Sequence, residues 1–364
     1  MRRLRRRLLP VSLVLVLVML VLTACGGART SGGASGPGPA GGSASAQGSG
    51  AGAPVPGPRR SLKIGYLNVM DDAPAMLAKD AGLYEKYGLD VELVLFESGT
   101  DLIKAIVGGQ LQAGVLGFTN AVTWAAKGAD LKVVGGAQVG YHSLVVRKDS
   151  GIKTVQDLKG KRLASQKQGS TADIVLNGVV FRQAGLSRQD VQMVYVEPAA
   201  AIQSLAAGQV DAALVFEPYE QIARATGNVD VIYEIGKVWP FPCMVVITSG
   251  KQLATDREAV DRLLDAQKDA IAMLETQPDE AARYLVKRFV QDEEVRGPSG
   301  SVKAVDLVRK AIETQTFRWE ISDQDIRRME EIVDIMVSQG LLERKIDVKT
   351  ILDLSWQQRA EKKV

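Results

Sequence analysis

Residues 105–116 read AIVGGQLQAGVL and residues 204–215 read SLAAGQVDAALV. Gly109, Gln110 and Ala113 of the first stretch recur 99 positions later as Gly208, Gln209 and Ala212. Both stretches read as the end of a helix, a glycine able to take the left-handed conformation that closes it, and a short apolar strand. Each follows a Gly-Leu pair (Gly88-Leu89, Gly185-Leu186), a β-rich run and a loop led by Glu97 or Glu197. The shared layout predicts two βαβ units of one design.

On either side of these units, short β-rich runs alternate with helical spacing. Strands are expected at 62–66, 91–96, 113–116, 131–137, 144–147, 162–164, 192–196, 212–216, 229–235 and 243–248. Between them Leu102, Ile103, Ile106 and Val107, and Val175, Leu176, Val179 and Val180, fall on single helix faces. This alternation predicts an α/β protein with mainly parallel sheets covered on both faces. After Ser249 the apolar positions (Val260, Leu263, Leu264, Ile271, Leu274, then Ile326, Met329, Ile332, Val333, Met336) keep the helical period, so the last third is expected to be helical, without further strands. The expected arrangement has two lobes. Lobe I is 61–145 plus 245–364 with a helical tail, and lobe II is 146–244. The chain then crosses twice, near 145–148 and 241–245, and two crossing strands make a hinge.

The chain has 364 residues, 46% hydrophobic and 24% charged, enough for two domains with their own cores. Its 2 Cys cannot make a disulfide framework, and its 1 His excludes His-rich metal cages and His-pair catalysis, so neither a metal centre nor a cofactor is expected. The five arginines Arg2, Arg3, Arg5, Arg6 and Arg7 sit in residues 1–24, and without them the 45 basic residues fall to 40 against 42 acidic ones. Such a near-neutral remainder gives no electrostatic case for nucleic acid.

The arginine-rich start precedes residues 8–22, an apolar run interrupted by Pro10 and Ser12. It is shorter than the roughly 20 apolar residues of a spanning helix and has the layout of a secretory signal, assigned to 1–24. The sequence Leu22-Thr23-Ala24-Cys25-Gly26 resembles the bacterial lipobox, which implies a lipid on Cys25 and a protein anchored outside the cytoplasm at a membrane. In residues 26–60, 29 of 35 positions are Gly, Ala, Ser or Pro, so 25–60 is expected to be a flexible tether. Cys243 is then left unpaired and reads as a small buried apolar residue.

In open α/β sheets a ligand binds beyond the carboxyl ends of the strands, at helix starts whose free N–H groups suit anionic or polar acceptors. Polar loops fall at such points: Asn68 to Asp72, Ser98-Gly99-Thr100 after Glu97, Thr119-Asn120, Ser170-Thr171, and Glu217 with Tyr219. The same hydroxyls can simply cap helices. His142, just before the first crossing, can donate to a ligand or be a satisfied structural residue. The aromatics of 239–242 can stack on a ligand or wedge the hinge.

The run LKIGYLNVMDDAPAMLAKDAGLYEKYGLDVELVLFESGTDLIKAIVGGQLQAGVLG at 62–117, with VRKDSGIKTVQDLKGKRLASQKQGSTAD at 146–173 and VEPAAAIQSLAAGQVDAALVFEPY at 196–219, resembles solute-binding proteins of the nitrate, taurine and alkanesulfonate type. Binders of thiamine-pyrimidine precursors belong to the same group. The resemblance spans 62–290. It implies a two-lobed periplasmic-binding-protein-like fold of type II and a monomeric receptor that closes on a small solute. The receptor hands the solute to an ABC permease driven by a cytoplasmic ATPase. By matched position it implies a cleft lined by Asp71, Asp72, Ser98, Gly99, Thr100, Thr119, Asn120, Ser170, Thr171, Glu217 and Tyr219. These loops contain no arginine, and the acidic Asp71, Asp72 and Glu217 favour a solute with donor groups, such as an aminopyrimidine or a zwitterion. A pyrimidine-processing enzyme or a signalling receptor on the same fold is the alternative. Enzymatic activity is not expected: the folded region has no G-x-S-x-G elbow, and Ser150 to Lys153 fits S-x-x-K without its companion motifs.

Overall fold

The structure, a computed structural model, describes residues 58–298 and 300–362. The expected signal (1–24), Cys25 and the tether through residue 57 lie outside the described residues. The strands are β1 Arg60–Tyr66, β2 Leu89–Leu95, β3 Ala113–Gly117, β4 Lys132–Val139, β5 Ser143–Arg147, β6 Arg162–Ser165, β7 Gln192–Tyr195, β8 Ala212–Val215, β9 Val229–Glu234, β10 Pro242–Thr248, β11 Glu294–Gly297, β12 Gly300–Lys303 and β13 Thr316–Phe317. All ten expected strands are present. They form one sheet in the order β13-β4-β10-β3-β1-β2 and a second in the order β7-β6-β8-β5-β9.

The two echoed stretches fold alike. Helix Gly99–Val107 closes on Gly109 (φ 73°) and helix Pro198–Ala206 on Gly208 (φ 70°), conformations that strain any residue with a Cβ. The Gln110 amide donates to the Ala105 carbonyl at 2.8 Å, and the Gln209 amide to the Ser204 carbonyl at 2.9 Å, the same helix-closing bond in both copies. Each chain then enters an inner strand of its sheet, β3 or β8. Helix Gly99–Val107 turns Leu102, Ile103 and Ile106 onto the sheet and leaves Asp101 and Lys104 in water. Each of those three apolar side chains contributes roughly 1.5–3 kcal/mol.

The sheets are mixed, a correction to the mainly parallel expectation. β1 runs parallel to β2 and β3, and β6 to β7 and β8. β10 is antiparallel to β3 and β4, and β5 to β8 and β9. The physical reason is the crossover: β5 and β10 each arrive from the other sheet, so each inserts among its new neighbours in the reverse direction. The first crossing therefore comes earlier than expected, at residues 140–142, because 143–147 is already paired on both edges. The second crossing, at 235–241, includes a one-turn helix, Ile235–Val238, and is not a simple strand.

The crossings run side by side. The Gly140 amide donates to the Phe241 carbonyl at 2.7 Å, and the Ile235 amide to the His142 carbonyl at 2.8 Å. A Cβ on Gly236 would stand 2.4 Å from the Gly140 carbonyl oxygen, so only glycine lets the two backbones approach this closely.

The tail contains helices Gly250–Thr276, Pro278–Phe289, Ala304–Glu313 and Asp323–Ser338. It also contains the β11–β12 hairpin and β13, which the helical expectation lacked; these strands are two to four residues long and mostly exposed, so they carry no apolar alternation to read. The tail touches both sheets' surroundings. β13 extends the first sheet, while Gln339 donates to the Ile174 carbonyl at 3.0 Å beneath the second.

Candidate functional site

Between the two sheets lies a cavity of about 450 Å³, inside the roughly 300–1,000 Å³ range of small-molecule sites. Its walls are helix starts. Ser98, Gly99 and Thr100 open helix Gly99–Val107, and Gly117 and Asn120 belong to the start of Phe118–Ala125. From the other sheet come Ser170, Thr171 and Ala172 at the start of Thr171–Val175, and Glu197 and Pro198 at the start of Pro198–Ala206. Every such start presents backbone N–H groups and a partial positive charge. Ser98 and Ser170 are used as caps, accepting from the Asp101 and Asp173 amides at 3.2 and 3.3 Å.

The structure brings most of the expected residues to this cavity: Asn68, Asp71, Ser98, Gly99, Thr100, Asn120, His142, Ser170, Thr171 and Tyr219 line it. Three expected residues do not line it. Asp72 is buried and accepts from the Leu67 amide at 2.8 Å, tying down the turn after β1. Glu217 is fully buried and accepts from Gln221 Nε2 and Thr314 Oγ1, both at 2.8 Å, so it points to the tail. Thr119 is buried against Thr171, hydroxyl to hydroxyl at 2.6 Å. That contact joins a helix of the first sheet to a helix of the second, so it clasps the two halves across the cleft.

Lys167 is the one Lys or Arg among the described residues lining the cavity, where Asp71, Glu97 and Glu197 are the acidic ones. Lys167 and the apolar Phe216 and Met244 were missed from the sequence. Phe216, the last residue of the expected strand, lies just past the end of β8 and packs edge-on against Tyr219 with ring centroids 5.5 Å apart. Cys243 was read as core, and it is buried, yet it also lines the cavity. One donor atom each of Asp71, His142 and Cys243 lies within 4.8 Å of the others.

Burial sets the protonation of this floor. It pushes the Asp71 carboxyl up to about 7 and the His142 imidazole down to about 4, so the imidazole is neutral at pH 7. Burial first, then the nearby Asp71 and Asp72, holds the Cys243 thiol well above its ordinary value.

Two α/β lobes joined by paired crossings around a cleft of helix starts define the periplasmic-binding-protein class of fold. Within it, residues 56–290 match the NMT1-like family, and the chain belongs to that family. The alkanesulfonate-binding protein SsuA of Xanthomonas axonopodis pv. citri, solved bound to MOPS, superposes with a TM-score of 0.69 at 24% identity, covering 82% of this chain and 100% of that one. The periplasmic nitrate-binding protein NrtA of Synechocystis PCC 6803 gives 0.65 at 14% identity, over 84% and 89%. The desulfurization enzyme DSZB gives 0.62 at 15% identity, over 84% and 99%. At these identities the likeness is one of fold, and the fold alone carries both binders and an enzyme.

Proposed function

We propose that this chain is the extracytoplasmic solute-capturing subunit of an ABC importer, anchored through a lipid on Cys25 and handing its solute to a permease coupled to a cytoplasmic ATPase. Lobe I comprises 58–139 with 242–362, lobe II comprises 143–234, and the paired crossings act as the hinge. The observation that carries the reading is the cavity between the sheets, walled by helix starts from both sides and clasped by Thr119 and Thr171. A solute touching both halves favours the closed form by the free energy of the contacts made only there. Solute-binding relatives on the same fold support capture over catalysis.

The cavity's charges favour a zwitterion of the aminoalkanesulfonate kind. Lys167 and the helix starts suit the sulfonate, and Glu97 and Glu197 suit the ammonium. Taurine, ethanesulfonate, nitrate and an aminopyrimidine are compared by thermal shift and small-angle scattering. Taurine is expected to stabilise the protein, to shrink its radius of gyration, and to bind at least tenfold more tightly than ethanesulfonate, which lacks the amine. Stabilisation without compaction would remove the hinge mechanism, and no response to any of the four would remove the importer reading.

A wedge in the clasp gives a second check. A Cβ on Gly117 would stand 2.6 Å from Thr171 Oγ1 across the cleft. Gly117→Val is expected to hold the halves apart and weaken solute binding in proportion to the lost closed fraction. Equal affinity in variant and native protein would show that closure contributes nothing to capture.

A further inference from the structure

Asp71, His142 and Cys243 come from three separate parts of the chain: the turn Met70–Asp72 after β1, the end of the first crossing, and the start of β10. The three residues are 3%, 3% and 2% exposed, and one donor atom of each lies within 4.8 Å of the other two. His142 Nδ1 is buried and has no hydrogen-bond partner among the described residues. A buried polar atom left unpaired destabilises the fold, so it calls for a partner. All three side chains line the floor of the cavity.

We propose that Asp71, His142 and Cys243 form a binding site for a divalent ion of the Zn²⁺ class, with its remaining coordination position open to the cleft. An imidazole nitrogen, a sulfur and a carboxylate oxygen are the donor types this ion takes, and three protein ligands with one open position is an established arrangement for it. A hard ion such as Mg²⁺ would prefer oxygen donors alone. The surroundings hold the donors in place. Gln315 Nε2 donates to Asp71 Oδ1 at 3.3 Å, and the His142 ring stacks on Phe241 with 19° between planes while Phe216 meets it edge-on. Such outer contacts fix ligand orientation. The ion would also bring positive charge to a cavity whose lining offers one lysine and no arginine.

Full chain stripped with a chelator is titrated with Co²⁺, then with Zn²⁺ in competition. The expected result is one Co²⁺ per chain, with a sulfur-to-cobalt charge-transfer band in the near ultraviolet that Zn²⁺ abolishes. Cys243→Ala should remove the band, and His142→Asn should weaken Co²⁺ binding by at least about tenfold, given that even outer contacts are worth roughly 10- to 100-fold. Circular dichroism of both variants separates lost ligation from lost folding, and Zn²⁺ protection of Cys243 from alkylation in native protein serves if either fails to fold. Uptake without the band, a band that survives Cys243→Ala, or alkylation indifferent to Zn²⁺ would overturn the proposal. The solute reading is tested separately, since metal-free protein can still compact around taurine.

Discussion

Phe241→Ala is expected to cost about 3–5 kcal/mol of folding stability, the range for removing a large aromatic ring from a packed interior. The ring is fully buried at the point where the two crossings meet. It stacks on His142 at 6.2 Å and packs against Trp239 at 5.5 Å between centroids, and a Cβ on Gly140 would lie 2.3 Å from it. Nothing on the crossings can collapse into the space, because the Gly140 and Ile235 backbone bonds fix both segments at their present separation. Trp239 is the contrast. It is half-buried and has the Arg328 guanidinium over its ring at 4.2 Å, so Trp239→Ala leaves a site that solvent and Arg328 can fill. Urea unfolding of the two variants beside native protein reads the difference. A cost below about 1 kcal/mol for Phe241→Ala would show that the ring does not support the hinge.

Much of this architecture could be read from residues in sequence order. The repeated helix-glycine-strand signature is local: Gly109 and Gly208 take positive φ for a reason contained within six residues. Strand positions followed from apolar runs, and the cleft from the rule that ligands meet helix starts. What could not be read depends on contacts far apart in the chain. Glu217 follows β8 as a cleft residue should, but Thr314, 97 residues on, draws its carboxylate toward the tail. Cys243 fits an apolar strand, and its place beside Asp71 and His142 exists only once the chain has crossed twice. β13 is two residues long and carries no pattern by itself, so its pairing with β4 could not be foreseen. The direction of β5 and β10 has the same origin, since sequence fixes that a strand exists before it fixes which sheet receives it.

Glu217 gives the second large effect, a stability that falls as pH rises. Burial, reinforced by the neighbouring Glu220, pushes the carboxyl up to about 7, whereas the same group in the unfolded chain titrates at its ordinary 4.5. The donors Gln221 and Thr314 offset only part of that cost, and the charges nearby oppose one another, with Glu220 against Arg224 and Tyr141 bonded to Glu220. Between about pH 4.5 and 7 the folded state thus holds a proton that the unfolded state has lost, so stability declines through this window and levels off above it. At 1.36 kcal/mol per unit, the decline attributable to Glu217 is about 3 kcal/mol. Glu217→Gln keeps an acceptor for Gln221 and Thr314 and cannot ionise. The variant should therefore match native protein near pH 4.5 and exceed it by up to about 3 kcal/mol at pH 8. Asp71 is raised in the same direction, and its contribution cancels in the difference between variant and native protein, both measured with chelator present. Parallel stability curves from pH 4.5 to 8 would mean that the buried carboxylate ionises as freely in the folded chain as in water, and that its place against Thr314 costs nothing.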